Sequence, residues 1–177
     1  MMLNLYDVLS AVGQQTTLQV TVGELQTRFY GEEIRVLCKD SFDVELKHLQ
    51  KDTLEISFEV DVEAVRTCSR CLGNVDCEYH LNVFRNINLA TMEAFADDAS
   101  DADKISYIED CNLDIDMLVL DELYTVLPMN VVCKDDCQGI CKVCGTNLNE
   151  STCNCDQTVP DPRMAVFSDI FNQFKEV

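Results

Sequence analysis

Cations are scarce in this 177-residue chain: 13 Lys and Arg stand against 32 Asp and Glu, a formal net charge of −19, and there are only two histidines. A field of that sign repels phosphate at long range, so broad non-specific binding to nucleic acid is disfavoured and a basic protein surface is attracted. Acidity also serves solubility on its own. No run approaches the roughly 18 consecutive apolar residues of a membrane span, and no bilayer crossing is expected. The opening Met1-Met2-Leu3-Asn4-Leu5-Tyr6-Asp7 lacks the basic patch, apolar stretch and cleavage site of a secretory signal, which makes the cytoplasm the expected location. Absent too are a P-loop, a dinucleotide-binding glycine run, a serine nucleophile elbow and a His-Glu-x-x-His helix. His80 falls on the polar side of an alternating segment and His48 in a mixed one, so both read as surface residues rather than as a base or a ligand. Paired carboxylates are too common here to single out a dyad. No enzyme, small-molecule substrate or catalytic residue is expected.

What the chain does have is cysteine, eleven in all. In a reducing compartment that count favours thiolates holding a metal over disulfides. Eight fall in close pairs: Cys68/Cys71, Cys133/Cys137, Cys141/Cys144 and Cys153/Cys155. Cys141-Lys142-Val143-Cys144-Gly145 is a Cys-x-x-Cys turn whose following glycine permits a tight backbone, and Cys153-Asn154-Cys155 supplies two more thiols close behind it. Four thiolates satisfy tetrahedral zinc, with Zn–S near about 2.3 Å, and leave no open position, so such a site is structural. Spacing alone leaves an iron–sulfur cluster as an alternative. Cys133 and Cys137 then lack a local partner, as do Cys68 and Cys71. Sharing a second ion is the arrangement we expect, giving one or two zinc ions in total. Two other partitions stay open: Cys133 or Cys137 joins the first site and leaves Cys153 or Cys155 spare, or Cys68/Cys71 is a redox dithiol. A redox dithiol needs a helix N-terminus to lower its thiol pKa, whereas here strand alternation resumes at Val75. The three dispersed cysteines, Cys38, Cys77 and Cys111, read as small buried hydrophobes.

The rest of the pattern predicts an α+β chain that is mostly antiparallel β-sheet. Leu54, Ile56, Phe58, Val60 and Val62 alternate with polar residues, and the alternation returns in Val75, Cys77, Tyr79, Leu81 and Val83. These two runs read as an antiparallel pair connected through residues 68–74. Leu18-Val20-Val22, Ile34-Val36-Cys38 and Phe42-Val44-Leu46 are three weaker strands upstream. Residues 94–104 are acidic and small, and read as an exposed loop. Ile115, Leu118, Leu123, Val126 and Leu127 mark an amphipathic helix capped by Asp114 and stopped before Pro128. A terminal helix is signalled by Asp161-Pro162, with Phe167, Ile170, Phe171 and Phe174 on one face. The domain expectation is a sheet domain with its helix over 1–130, then a cysteine-rich zinc-knuckle segment and terminal helix over 131–177.

Arg66-Thr67-Cys68-Ser69-Arg70-Cys71-Leu72 after a long alternating strand, Leu127-Pro128 closing a helix, and Asp136-Cys137-Gln138-Gly139-Ile140-Cys141-Lys142-Val143-Cys144-Gly145-Thr146-Asn147-Leu148-Asn149 resemble the large ribosomal RNA subunit accumulation proteins of the YceD type, in their cysteine-rich form. The tail Asp161-Pro162-Arg163-Met164-Ala165-Val166 is similar to them too. The resemblance implies a non-catalytic role in ribosome assembly, supporting accumulation or processing of large-subunit ribosomal RNA. It implies a ribosomal protein or a precursor large subunit as partner. Direct contact with ribosomal RNA stays open but is not indicated by the charge. Arg66, Arg70, Lys134 and Lys142 lie beside the cysteine pairs. They read either as a small phosphate-facing patch or as cations that offset the thiolates and Asp135/Asp136. A thiol redox or zinc-responsive regulator using Cys68/Cys71 is the alternative function.

Overall fold

Period-two alternation builds the two longest strands among the described residues, the fifteen-residue β6 (Thr53–Thr67) and β7 (Asn74–Asn88). The computed structural model describes residues 1–50, 52–90, 93–94, 107–109 and 111–155. Along β6 every second side chain, from Leu54 to Ala64, is buried, and each is flanked by a polar residue on the opposite face. Complete burial of one such aliphatic side chain is worth about 1.5–3 kcal/mol, so a one-residue slip of β6 would expose the whole set.

The remaining elements follow in chain order: β1 (Met2–Asn4), α1 (Tyr6–Leu9), β2 (Gln15–Val20), β3 (Glu24–Phe29), β4 (Glu32–Cys38) and β5 (Phe42–Gln50) precede the long pair, and β8 (Glu93–Ala94), β9 (Ile108–Glu109), β10 (Asn112–Asp114) and α2 (Ile115–Val126) come after it. All pairings among the named strands are antiparallel. β7 runs along one edge of β6 from Thr53↔Asn88 to Thr67↔Asn74. The other edge of β6 is shared. β5 takes its first part, through pairs such as Leu46↔Ile56, and β4 takes its last, through pairs such as Val36↔Ala64. β2 lies outside β5 and β3 outside β4, while a separate small sheet has the order β1-β10-β9.

Helix α2 begins where expected. The Asp114 carboxylate accepts hydrogen bonds from the backbone N–H groups of Asp116 and Met117, and the backbone turns extended at Leu127, ahead of Pro128. It packs against β7 and β3. Its buried face is Ile115, Leu118, Val119, Glu122 and Leu123, and Val126, expected on that face, is exposed. Among the described residues no helix is long and apolar enough to cross a membrane.

Several expectations need correction. Strand β3 carries threonine and glutamine between its apolar residues and was not anticipated, and Val22 lies beyond the end of β2. His48 is buried, not superficial. It continues the inward register of Val44 and Leu46 on β5, and its Nδ1 lies 3.1 Å from the carbonyl oxygen of Ala11 in the turn that covers it. Cys111 is exposed, with φ +60° in the tight connection from β9 to β10, while Cys38 is buried and Cys77 half-buried opposite Ala64. Most of the acidic stretch at 94–104 and the whole terminal helix lie outside the described residues.

The chain divides into two compact units. One comprises Met1–Thr67 and Asn74–Val131 and holds both sheets; the other comprises Cys68–Gly73 and Val132–Val177. The connection between β6 and β7 therefore belongs with the cysteine-rich segment that follows α2.

Candidate metal centre

The turn out of β6 is closed by the backbone. Cys68 N donates to Gly73 O at 2.8 Å and Leu72 N donates to Cys68 O at 3.0 Å, which sets the sulfurs of Cys68 and Cys71 on one side of a short knuckle. Cys137 N donates to Lys134 O, so residues 133–137 make a second small turn. The sulfurs of Cys68, Cys71, Cys133 and Cys137 all lie within 4.8 Å of one another. Between Cys68 and Cys137 the separation is 3.9 Å, and between Cys71 and Cys133 it is 3.6 Å.

The other four form a second group, in which the sulfurs of Cys141, Cys144, Cys153 and Cys155 also lie within 4.8 Å of one another. Its first knuckle is built as the spacing predicts: Gly145, at φ +74°, donates its N–H to Cys141 O at 2.8 Å, and Cys141 N donates to Thr146 O at 2.8 Å. The structure thus distributes the eight paired cysteines four and four, leaving none of them spare and Cys68/Cys71 with two further sulfurs beside them.

Both groups suit a four-thiolate ion. A tetrahedron with metal–sulfur bonds of about 2.3 Å has sulfur–sulfur edges of about 3.8 Å, close to the two separations above. N–H groups already point at the sulfurs: Cys133 N at that of Cys68, Val143 N at that of Cys141, and the Asn149 side-chain amide at that of Cys137, each at 3.4 Å. Such donors stabilise thiolate and are the outer partners a metal site requires. Thiols held this close cannot all ionise by themselves. Hydrogen bonds from the backbone N–H groups of Cys71 and Arg70 bring Cys68 down to about 6, whereas the Cys137 sulfur, aided by burial, pushes Cys133 up to about 12. In the second group the Thr146 hydroxyl and N–H bring Cys144 down to about 6, and the Cys144 sulfur drives Cys155 up to about 12. Each group alone is a mixture of thiolate and thiol, and a shared divalent cation would relieve the repulsion that keeps it so.

The four cations beside the cysteines differ in what they engage. Arg66 turns into the first unit, 3% exposed, where its Nε donates to Glu32 at 3.0 Å, its Nη1 donates to Pro128 O at 3.2 Å and its guanidinium lies 5.5 Å from the Phe29 ring centroid. Arg70 Nη1 donates to the carbonyl oxygens of Asp135 and Cys137, both at 3.2 Å, tying the first knuckle to the second. Lys134 lies 3.8 Å from the Asp136 carboxylate, and Lys142 is exposed. Arg70, read in the sequence as a patch residue or an offsetting cation, is the brace of the first group, and Asn149 was passed over, its place in the Cys144–Asn149 stretch being its only signal.

A family model described as large ribosomal RNA subunit accumulation protein YceD matches residues 56–171, a span that contains β6 from Ile56 onward, all of β7 and all eight paired cysteines. An uncharacterized protein of Mycobacterium leprae is 27% identical over 108 residues, 61% of this chain and 48% of that protein. An uncharacterized protein of Mycobacterium tuberculosis is 28% identical over 112 residues, 60% of this chain and 50% of that protein. The chain spans about half the length of the curated relatives it matches. No solved structure matches it significantly.

Proposed function

Because the chain belongs to the large ribosomal RNA subunit accumulation protein family, we propose that it is a non-catalytic, cytoplasmic ribosome-assembly factor. In this reading it supports accumulation or processing of large-subunit ribosomal RNA, and two structural zinc ions hold its cysteine-rich unit. The family match carries the reading, since it runs through the long hairpin and the cysteine knuckles alike. Cys68, Cys71, Cys133 and Cys137 would hold one ion and Cys141, Cys144, Cys153 and Cys155 the other. Four thiolates around each leave no position for substrate, which favours a structural role over a catalytic one. The absence of a helix behind Cys68 argues against a redox dithiol there, because residues 68–73 form a turn.

Charge supports a partner of basic character. On the polar face of the large sheet, Glu45, Glu55, Glu59, Asp61, Glu63 and Glu78 project from β5, β6 and β7. The lysines among them are already engaged, Lys39 with Glu63 and Glu78 and Lys47 with Glu45 and Glu55. A basic ribosomal protein of the precursor large subunit is the partner this face suits, more than ribosomal RNA itself.

The test is depletion of the protein followed by sedimentation of ribosomal particles. Large-subunit ribosomal RNA should fall relative to small-subunit RNA, and the tagged protein should travel with precursor large subunits. An unchanged RNA ratio together with no co-sedimentation would sink the proposal. For the partner, Glu59→Lys/Asp61→Lys should weaken association with precursor particles about tenfold while zinc content stays the same. Unaltered association would reject this face as the contact.

A further inference from the structure

Asn149 belongs, by sequence, to the loop that Cys141, Cys144, Cys153 and Cys155 close, yet its side chain serves the other group. Its Oδ1 accepts a hydrogen bond from Gln138 N at 2.9 Å. A backbone N–H can only donate, so this bond determines which end of the carboxamide is oxygen. The Nδ2 end therefore faces the Cys137 sulfur at 3.4 Å and also donates to Asn147 Oδ1 at 2.8 Å. Asn147 Oδ1 accepts Asn149 N as well, at 3.1 Å, which holds the Asn149 backbone in place. The carboxamide thus grips Cys137 and Gln138 together, a ligand sulfur and the peptide that follows it.

Further bonds run the same way. Leu148 N donates to Gly139 O at 2.9 Å, and Ile140 N donates to Arg70 O at 3.2 Å. Gly139 has φ +74°, and a Cβ there would lie 3.0 Å from the Arg70 carbonyl oxygen, so this segment and the knuckle approach as closely as glycine allows. Residues 138–140 are therefore clasped between the loop of one cysteine group and the first knuckle of the other.

The geometry points to Asn149 as a positioning residue that couples the two metal sites: closure of its loop by the second group aims its amide at the Cys137 sulfur, so an ion held by the second group strengthens retention of the ion held by the first. This rests on the zinc reading above. The coupling is reciprocal, as any equilibrium linkage must be. Outer partners of this kind are worth about 10- to 100-fold in metal affinity, and here the partner is supplied by the neighbouring site.

The test uses the full chain, elemental analysis and zinc competition against chelators of graded affinity. Cys68→Ser/Cys71→Ser and Cys153→Ser/Cys155→Ser identify which step belongs to which site. Asn149→Ala removes the clasp, while Asn149→Asp keeps the Oδ1 acceptor for Gln138 and the bond from Asn149 N to Asn147 Oδ1, and removes both Nδ2 donations, to the Cys137 sulfur and to Asn147 Oδ1. Both variants should weaken the Cys68/Cys71/Cys133/Cys137 site at least about tenfold when the second group is filled, and leave the second group, measured alone in the Cys68→Ser/Cys71→Ser background, within about twofold. In the Cys153→Ser/Cys155→Ser background the first site should already be weakened, with no further loss on adding Asn149→Ala. Two zincs per wild-type chain with first-site affinity unchanged in both Asn149 variants would overturn the coupling alone, as would a loss confined to the second site. Fewer than two zincs per wild-type chain would overturn the zinc reading and the coupling with it.

Discussion

Stripping metal with a chelator should unfold the cysteine-rich unit and leave the sheets standing. The reasoning starts from burial. Among the described residues of that unit only Cys68, Cys71, Cys137, Gly139 and Cys141 are buried, so the described part has almost no aliphatic core. Its order must come from bonds to sulfur. A structural zinc contributes about 10–16 kcal/mol at pH 7, comparable to the whole stability of an ordinary domain at about 5–15 kcal/mol. The N–H groups of Cys141, Gly145 and Leu148 report directly, since they donate to Thr146 O, Cys141 O and Gly139 O at 2.8, 2.8 and 2.9 Å. Loss of both ions should cut their protection from hydrogen exchange by more than about a thousandfold, because at least about 4 kcal/mol of local stability disappears. Amides in the middle of β6 and β7 should change by less than about threefold, as their ladder runs unbroken over both strands. Exchange would be followed with and without chelator, with elemental analysis confirming removal. If Cys141, Gly145 and Leu148 stayed equally protected in the stripped protein, the claim that sulfur–metal bonds order this unit would be wrong.

Three further outcomes are expected. Arg66→Met keeps the length of a buried side chain but leaves Glu32 with Thr67 and without its charged donor, and takes the Arg66 donor from the Pro128 carbonyl; denaturant unfolding of the sheet unit should show a loss of about 2–3 kcal/mol, and a loss below about 0.5 kcal/mol would contradict the structure. In the native protein Glu32 is held below its ordinary 4.5, against the opposing effect of burial, by hydrogen bonds from Thr67 and Arg66; that stabilisation is present above 4.5 and fades as pH falls through the lowered value, so the Arg66→Met difference should shrink in acid. His80 is raised above its ordinary 6.5 first by its hydrogen bond with Asp61, at 2.7 Å. The pair stabilises fully below 6.5 and fades as pH rises through the raised value. NMR titration should place the His80 midpoint above 6.5, with Asp61→Asn bringing it back, and an identical midpoint in the variant would remove Asp61 as the cause. Gly139→Ala must strain both a left-handed φ and the contact with Arg70 O, so it should cost about 1–3 kcal/mol, read as weaker zinc retention with unchanged melting of the sheet; wild-type retention would refute the close approach.

The long hairpin was legible because its evidence is local. Period-two alternation from Leu54 to Val62 and from Val75 to Val83 specifies both strands and the face each buries, and Asp114 with Pro128 brackets α2 through cap chemistry alone. Where the alternation is diluted, the reading failed. β3 mixes Thr27 and Gln26 among its apolar residues, and His48 keeps the inward register of β5 although its residue type suggests the surface. Arg66 looked like a neighbour of the knuckles because it is two residues from Cys68, but strand alternation sends it to the buried side, where Glu32 receives it.

By itself the sequence determined that eight cysteines come in four pairs, that one Cys-x-x-Cys turn is followed by glycine, and that the chain is strongly acidic, since residue type and spacing carry all of that. Only the tertiary structure decided which pairs meet. Cys68 and Cys71 are more than sixty positions from Cys133 and Cys137, and no local rule relates segments so far apart; their sulfurs converge because the β6–β7 turn and the segment after α2 fold into one unit. The same holds for Asn149: its spacing marks it as a loop residue, and only the fold sets its amide on the sulfur of the other group.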